Sequence, residues 1–151
     1  MSTCGSLLEK PQRIAESPIG KHRVLIIDDD EAMTETLARR LHHVGFDTDV
    51  ASSGEEGLGK ARATRPDLVI LDLRLPDRDG LNVCAELADD AATCAIPVII
   101  LSGLETPDIL RRCRAAGCHY FLHKPYDPNA LLILIREAIR QVGSWEVGEV
   151  G

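Results

Sequence analysis

Four stretches of this chain are apolar throughout: VLII (24–27), LVIL (68–71), VIIL (98–101) and the shorter YFL (120–122). A strand with one face in water alternates apolar and polar residues, so a solid run demands cover on both faces. That is the situation of a parallel strand in a sheet sandwiched between helices. A fifth, weaker run, TDVA (48–51), follows Asp47 and mixes polar with apolar residues, as an edge strand does. Helical patterns fill the gaps. Met33, Leu37, Leu41 and Val44 make one stripe, Ser53 with Glu56 has the form of a capping box, and Thr106-Pro107 and Asp127-Pro128 each put a cap residue before a first-turn proline. Helices are expected at 30–44, 54–64, 79–90, 106–116 and 128–142. Strand and helix thus alternate along the chain, which is the pattern of an α/β doubly wound parallel sheet.

A chain of 151 residues with 44% hydrophobic content suits one domain that buries about two thirds of its unfolded surface. Residues 1–21 carry Pro11 and Pro18 without sustained periodicity and read as a flexible arm; the folded unit is expected over 22–142 and a short tail over 143–151. The formal net charge of -7 argues against a direct, sequence-independent grip on nucleic acid. No stretch is apolar for the roughly 18 residues a membrane span needs, and the N-terminus lacks the charged start and apolar core of a signal peptide. A cytoplasmic protein is therefore expected. Its five cysteines form no C-x-x-C pair and read as reduced thiols packed like small hydrophobes.

The residues that follow the apolar runs carry the chemistry. Asp28 and Asp29 follow the first, Asp72 follows LVIL, Ser102 follows VIIL, and Lys124 comes shortly after YFL. All would lie at the carboxyl ends of strands, the edge at which open α/β sheets bind ligands. Two carboxylates about 4 Å apart repel by roughly 4 kcal/mol at an effective dielectric near 20, so such a cluster calls for a compensating cation. Asp28, Asp29 and Asp72 offer the hard oxygen donors that suit Mg²⁺, and Lys124 and Ser102 suit a phosphoryl oxygen. An aspartate beside Mg²⁺ is a competent nucleophile toward phosphorus.

DD after the first strand, the segment LDLRLPDRDG (71–80), a serine after the fourth strand and KP (124–125) after the fifth resemble the receiver domain of two-component response regulators over roughly residues 22–142. The resemblance implies a flavodoxin-like (βα)5 fold of strand order 2-1-3-4-5 with Asp72 as phosphoacceptor. It implies that Asp29, Asp72 and the Arg74 carbonyl bind Mg²⁺ directly and that Asp28 acts through water. Ser102, Lys124 and the backbone at Gly103 would contact the phosphoryl group, and Pro125 would follow a cis bond. Ser102 and Phe121 would act as switch residues, and Arg74 and Leu104 occupy positions that tune the lifetime of the phosphoryl group. The phosphodonor would be a sensor histidine kinase or a histidine phosphotransfer protein, and the chemistry would be confined to the protein's own aspartate, so the chain is not expected to be an enzyme. With no output domain evident, a stand-alone regulator is expected, acting as a phosphorelay intermediate or by binding a downstream protein; the alternative is a receiver piece of a larger regulator.

Other readings compete for the same residues. Asp30 and Glu31 serve equally well as acids at a helix start. The spacing of Cys113, Cys118, His119 and His123 faintly resembles a metal finger but spans a helix end and a strand, which favours packing and turn. A small phosphohydrolase of the haloacid dehalogenase type would use Asp28 as nucleophile and Asp30 as acid, yet Glu31-Ala32 replaces the small polar residue expected there. A flavodoxin-like cofactor binder would lack a phosphate loop, because four consecutive acids repel a nucleotide. On the last helix Leu131, Ile135, Ala138, Ile139 and Val142 define the core stripe, and Ile133 points nearly opposite. Together with the resemblance, this makes the face of helix 4, strand 5 and helix 5, residues 106–142, the expected partner surface or phosphorylation-dependent homodimer surface.

Overall fold

Every aliphatic run becomes a strand in the computed structural model, which describes residues 21–148 and, for 142–148, the backbone alone. The strands are β1 (Arg23–Ile27), β2 (Asp47–Ala51), β3 (Leu68–Asp72), β4 (Val98–Ser102) and β5 (Tyr120–His123). They form one parallel sheet of order β2-β1-β3-β4-β5. The helices between them are α1 (Glu31–His43), α2 (Gly54–Thr64), α3 (Gly80–Asp89), α4 (Ile109–Ala115) and α5 (Pro128–Gly148).

The solid runs are solid because successive residues serve opposite layers. Leu25, Ile27, Val69, Leu71, Val98 and Ile100 pack with Leu58 of α2, Val83 and Leu87 of α3, and Ile109 and Cys113 of α4. Val24, Ile26, Leu68, Ile70, Ile99 and Leu101 pack with Leu37 and Leu41 of α1 and Leu131, Ile135 and Ala138 of α5. Each Leu or Ile so buried contributes about 1.5–3 kcal/mol relative to exposure, which locks the register. β2, with only Ala51 fully buried, lies at one edge as its composition suggests.

Several boundaries differ from expectation. The fourth helix begins at Ile109, because Pro107 and Asp108 form a turn closed by Ile109 N–H to the Thr106 carbonyl (3.1 Å), and Asp108 makes no side-chain cap. Thr106-Pro107 is thus a turn ahead of the helix rather than its start. The last helix continues past 142 to Gly148, since an isolated glycine such as Gly143 weakens a helix by about 1 kcal/mol without ending it. Val44 caps α1 and is 42% exposed, so Phe46, after the left-handed Gly45 (φ 102°), takes the core place beside Leu41. Cys84, Cys113 and Cys118 are free thiols, as expected, with Cys84 and Cys113 buried. Cys94 sits in the loop before β4, only partly buried, rather than among core hydrophobes. Cys4 and the arm expected over 1–21 lie outside the described residues, apart from Lys21.

Candidate functional site

The parallel sheet brings the carboxyl ends of β1, β3, β4 and β5 to one edge. Asp28 directly follows β1 and extends its ladder by one bond, from its N–H to the Ala51 carbonyl (3.0 Å). This draws its side chain into the protein, where one Oδ accepts from the Asp30 N–H (3.1 Å). Asp29 remains exposed. Asp30 is the N-cap of α1, its carboxylate accepting from the Met33 N–H (3.1 Å), and Glu31 opens the helix. The acid that a dehalogenase-type reaction would need is therefore engaged in capping.

Asp72 ends β3 and is 8% exposed, with one Oδ accepting a long bond from the Arg74 N–H (3.3 Å). Ser102 ends β4 and is buried, its Oγ accepting from the Leu104 N–H (3.0 Å). Gly103 is exposed, and a Cβ there would meet nothing within 4 Å, leaving its backbone open to the pocket edge. Lys124 follows β5, and its N–H donates to the Ser102 carbonyl (2.8 Å), which aligns it with the end of β4. The Lys124–Pro125 bond is cis. Lys124 Nζ lies 3.2 Å from Asp28 Oδ2 and 3.4 Å from Asp72 Oδ1.

The electrostatics follow from this crowding. Burial pushes the Asp72 carboxyl above its ordinary value, and the Asp28 charge pushes the same way, partly opposed by Lys124. For Lys124, burial works against the charge, but Asp28 and Asp72 more than offset it, and its pKa is raised. Tyr126, half-buried just beyond, has its phenol raised mainly by burial.

Oxygens of Asp28, Asp29 and Asp72 all lie within 4.8 Å of one another. Three carboxylates against one ammonium leave two negative charges, which a divalent cation would cancel, and the donors are all hard oxygens. The residues present therefore fit Mg²⁺, with Asp28, Asp29 and Asp72 to hold it.

Arg74 is exposed two residues past Asp72, in a bridge with Asp79. Leu104 and Phe121 are partly buried against the α2–α3–α4 core. Ile133, 66% exposed on α5, is far from any core contact. Cys113 is buried in that core, and His119 Nδ1 accepts from the Val98 N–H (3.1 Å), both consistent with packing and turn roles. One residue with a distinct part in the loop after β3, Asp77, carries no local signal in the sequence, because its partners are 22 and 23 residues away.

Comparison with known proteins agrees with this geometry. The family model "Response regulator receiver domain" matches residues 24–136. The response regulator MtrA of Mycolicibacterium paratuberculosis, described as DNA-binding, is 34% identical over 80% of this chain and 52% of its own length. The regulator RpaA of Synechocystis, described as a DNA-binding dual master transcriptional regulator, is 36% identical over 79% of this chain and 49% of its own. The chain thus spans about half the length of these relatives. A response regulator from Chloroflexus aurantiacus superimposes with a TM-score of 0.75 at 29% identity, covering 80% of this chain and 98% of that one. A CheY-like receiver domain from Methanospirillum hungatei gives 0.78 at 25% identity, covering 83% and 98%. By sequence and by fold, this chain belongs to the response regulator receiver domain family of two-component signalling systems.

Proposed function

We propose that Asp72 accepts a phosphoryl group from the phosphohistidine of a sensor kinase or a histidine phosphotransfer protein, in a Mg²⁺-dependent reaction. The observation that carries this reading is the position of Lys124 Nζ between the buried carboxylates of Asp28 and Asp72. An ammonium so placed would meet an anion added to Asp72 without a large rearrangement. An Asp72 oxygen attacks phosphorus, the phosphorus–nitrogen bond of the donor breaks, and a proton goes to the departing imidazole, leaving an acyl phosphate on Asp72. Asp29, Asp72 and the Arg74 carbonyl, with Asp28 through water, would hold Mg²⁺, which would supply neutralising charge for the phosphoryl oxygens.

Lys124, the Ser102 hydroxyl and the Gly103 amide bind that phosphoryl group. To reach it, Ser102 exchanges its bond with the Leu104 N–H for one with the phosphate, and the resulting shift of the β4–α4 loop gives Phe121 room to turn inward. Arg74 and Leu104 flank the path of an attacking water and set how long the acyl phosphate lasts. The output is a change at the face of α4, β5 and α5, read by a downstream protein or a second copy of the chain through a surface that includes Ile133. Residues 22–142 act as the receiver unit, and its only chemistry is on its own aspartate. The donor's chemistry implies a cytoplasmic setting; among the described residues no helix is long and apolar enough to cross a membrane. The two curated relatives are named as DNA-binding, but the net charge of -7 favours a protein as this chain's direct contact.

Intact-mass measurement after incubation with acetyl phosphate and Mg²⁺ tests the reading. One added phosphoryl group is expected in the wild type and none in Asp72→Asn. Labelling that survives in Asp72→Asn but disappears in Asp28→Asn would transfer the nucleophile to Asp28.

A further inference from the structure

The loop between β3 and α3 is closed tightly at its base but spans open ground at its tip. At the base, Gly80 N–H donates to the Leu73 carbonyl (2.9 Å), and a Cβ on Gly80 would lie 2.6 Å from the Asp72 carbonyl oxygen. At the tip, Asp77 reaches across to another helix: one oxygen accepts from the Gly54 N–H (2.8 Å) and the other from the Glu55 N–H (2.9 Å).

These are the first two N–H groups of α2; the third, of Glu56, donates to the N-cap Ser53 (3.1 Å), and Gly57 N–H makes the first bond within the helix, to the Ser53 carbonyl. Three of the four unpaired donors at the start of α2 thus have partners, two of them a carboxylate from a distant loop. Those two bonds hold the Asp77 carboxyl below its ordinary value. Arg78 reinforces the contact through Glu55 (3.5 Å), and a Cβ on Gly54 would lie 2.7 Å from the Arg78 side chain.

The other end of the connection is β1. A Cβ on Gly57 of α2 would lie 2.5 Å from Ile27 Cδ1, so the helix backbone rests directly on the residue before Asp28. A continuous path therefore runs from Asp28 through Ile27 and α2 to Asp77 and the loop that carries Arg74. It joins the two sides of the acidic pocket.

The geometry points to Asp77 as a positioning residue for the Mg²⁺ site, fixing the loop of Arg74 relative to Asp28 and Asp29 through the start of α2. The inference rests on the reading of that pocket as the Mg²⁺ site. Outer contacts that orient ligands typically contribute 10- to 100-fold in metal affinity, and a loop anchor of this kind falls near the lower end.

The test is Mg²⁺ titration without phosphodonor, followed by amide NMR shifts at Asp29 and Arg74, in wild type, Asp77→Ala, Asp77→Asn and Ser53→Ala. Ser53→Ala removes a cap from the same helix without touching the loop, so it reports the purely structural effect. Asp77→Ala is expected to raise the half-saturating Mg²⁺ concentration about ten-fold. Asp77→Asn, which keeps one acceptor oxygen, should fall between it and wild type, and Ser53→Ala should match wild type despite a lower Tm. If Asp77→Ala lowers the Tm yet binds Mg²⁺ like wild type, or if Ser53→Ala weakens Mg²⁺ equally, Asp77 is only a helix cap and the inference fails. A wild type that binds no Mg²⁺ at Asp29 and Arg74 overturns the site itself, and the inference with it.

Discussion

The Lys124 ammonium lies 3.2 Å from Asp28, a partner 96 residues earlier in the chain, whose side chain is only 4% exposed. This pair would set up a competition if Mg²⁺ binds the acidic pocket, because the lysine and the cation would draw on the same carboxylates.

Lys124→Ala should therefore bind Mg²⁺ more tightly than wild type, by roughly three- to ten-fold, because a positive charge no longer opposes the ion. Without Mg²⁺ the variant should be less stable by about 2 kcal/mol, since two buried carboxylates lose their counter-charge. Its response to beryllofluoride should also shrink, the anion having lost its ammonium partner. Calorimetric Mg²⁺ titration with and without beryllofluoride checks the first and last of these, and urea unfolding without Mg²⁺ checks the stability. Unchanged Mg²⁺ affinity would mean that Lys124 does not bear on the metal pocket.

Asp72→Asn should act in the opposite sense on the metal-free protein. The Asp72 pKa is raised in the fold, so the folded state favours the protonated form, and the metal-free protein loses stability as pH rises through that raised value. A neutral amide removes the repulsion from Asp28, and at pH 7 the Tm without Mg²⁺ should rise by about 3 °C. Added Mg²⁺, which should raise the wild-type Tm, should have little effect on this variant. A lower Tm for Asp72→Asn would show that its hydrogen bonds outweigh the repulsion.

Two glycines in α2 separate sequence logic from packing. A Cβ at Gly59 would meet nothing within 4 Å, so Gly59→Ala should stabilise the protein by about 0.5–1 kcal/mol through helix propensity. A Cβ at Gly57 would meet Ile27 Cδ1 at 2.5 Å in a fully packed core, so Gly57→Ala should cost about 1–3 kcal/mol. Urea unfolding of the two variants measures the contrast, and equal effects would refute it.

That contrast also marks how far the sequence is legible. Solid runs such as VLII and LVIL announce buried parallel strands because no other setting covers both faces. The residues that follow them converge because parallel strands end at one edge. Local signals are weaker guides where two structures use the same residues: Thr106-Pro107 fits a helix start and a turn equally, and the turn wins. Cys94 looks like any small hydrophobe until its loop position is known. Asp77 is invisible because its partners are fixed by the path of a loop and not by spacing.

His119 gives the fold a defined acid sensitivity. Its Nδ1 accepts from the Val98 N–H, which requires that nitrogen to be unprotonated, and desolvation of the ring lowers its pKa below the ordinary 6.5, an effect kept small because the residue as a whole is exposed. The unfolded chain therefore binds the proton first as pH falls. The stability from this group is complete above 6.5 and is lost as pH drops toward the lower folded value. Denaturant titrations at pH 7.5 and pH 5 should show a smaller decrease for His119→Gln than for wild type. Equal decreases would assign the acid sensitivity to carboxylates alone.

The face of α4 and α5 exposes two large apolar side chains. Ile133 is 66% exposed on α5 and Leu110 is 51% exposed on α4, while Leu131 and Ile135, on either side of Ile133 in sequence, are buried. Helical geometry explains the alternation: Leu131 and Ile135 lie on the core stripe and Ile133 on the opposite side. Water-facing isoleucine contributes nothing to the core, so Ile133→Glu should change unfolding stability by less than about 0.5 kcal/mol. If this face carries the signal, the substitution should still matter after activation. Light scattering should show beryllofluoride-dependent self-association in wild type and its loss in Ile133→Glu, with Mg²⁺ binding and Asp72 phosphorylation unchanged. Self-association that persists in the variant would move the contact surface away from Ile133, and loss of phosphorylation would place Ile133 in the docking of the phosphodonor.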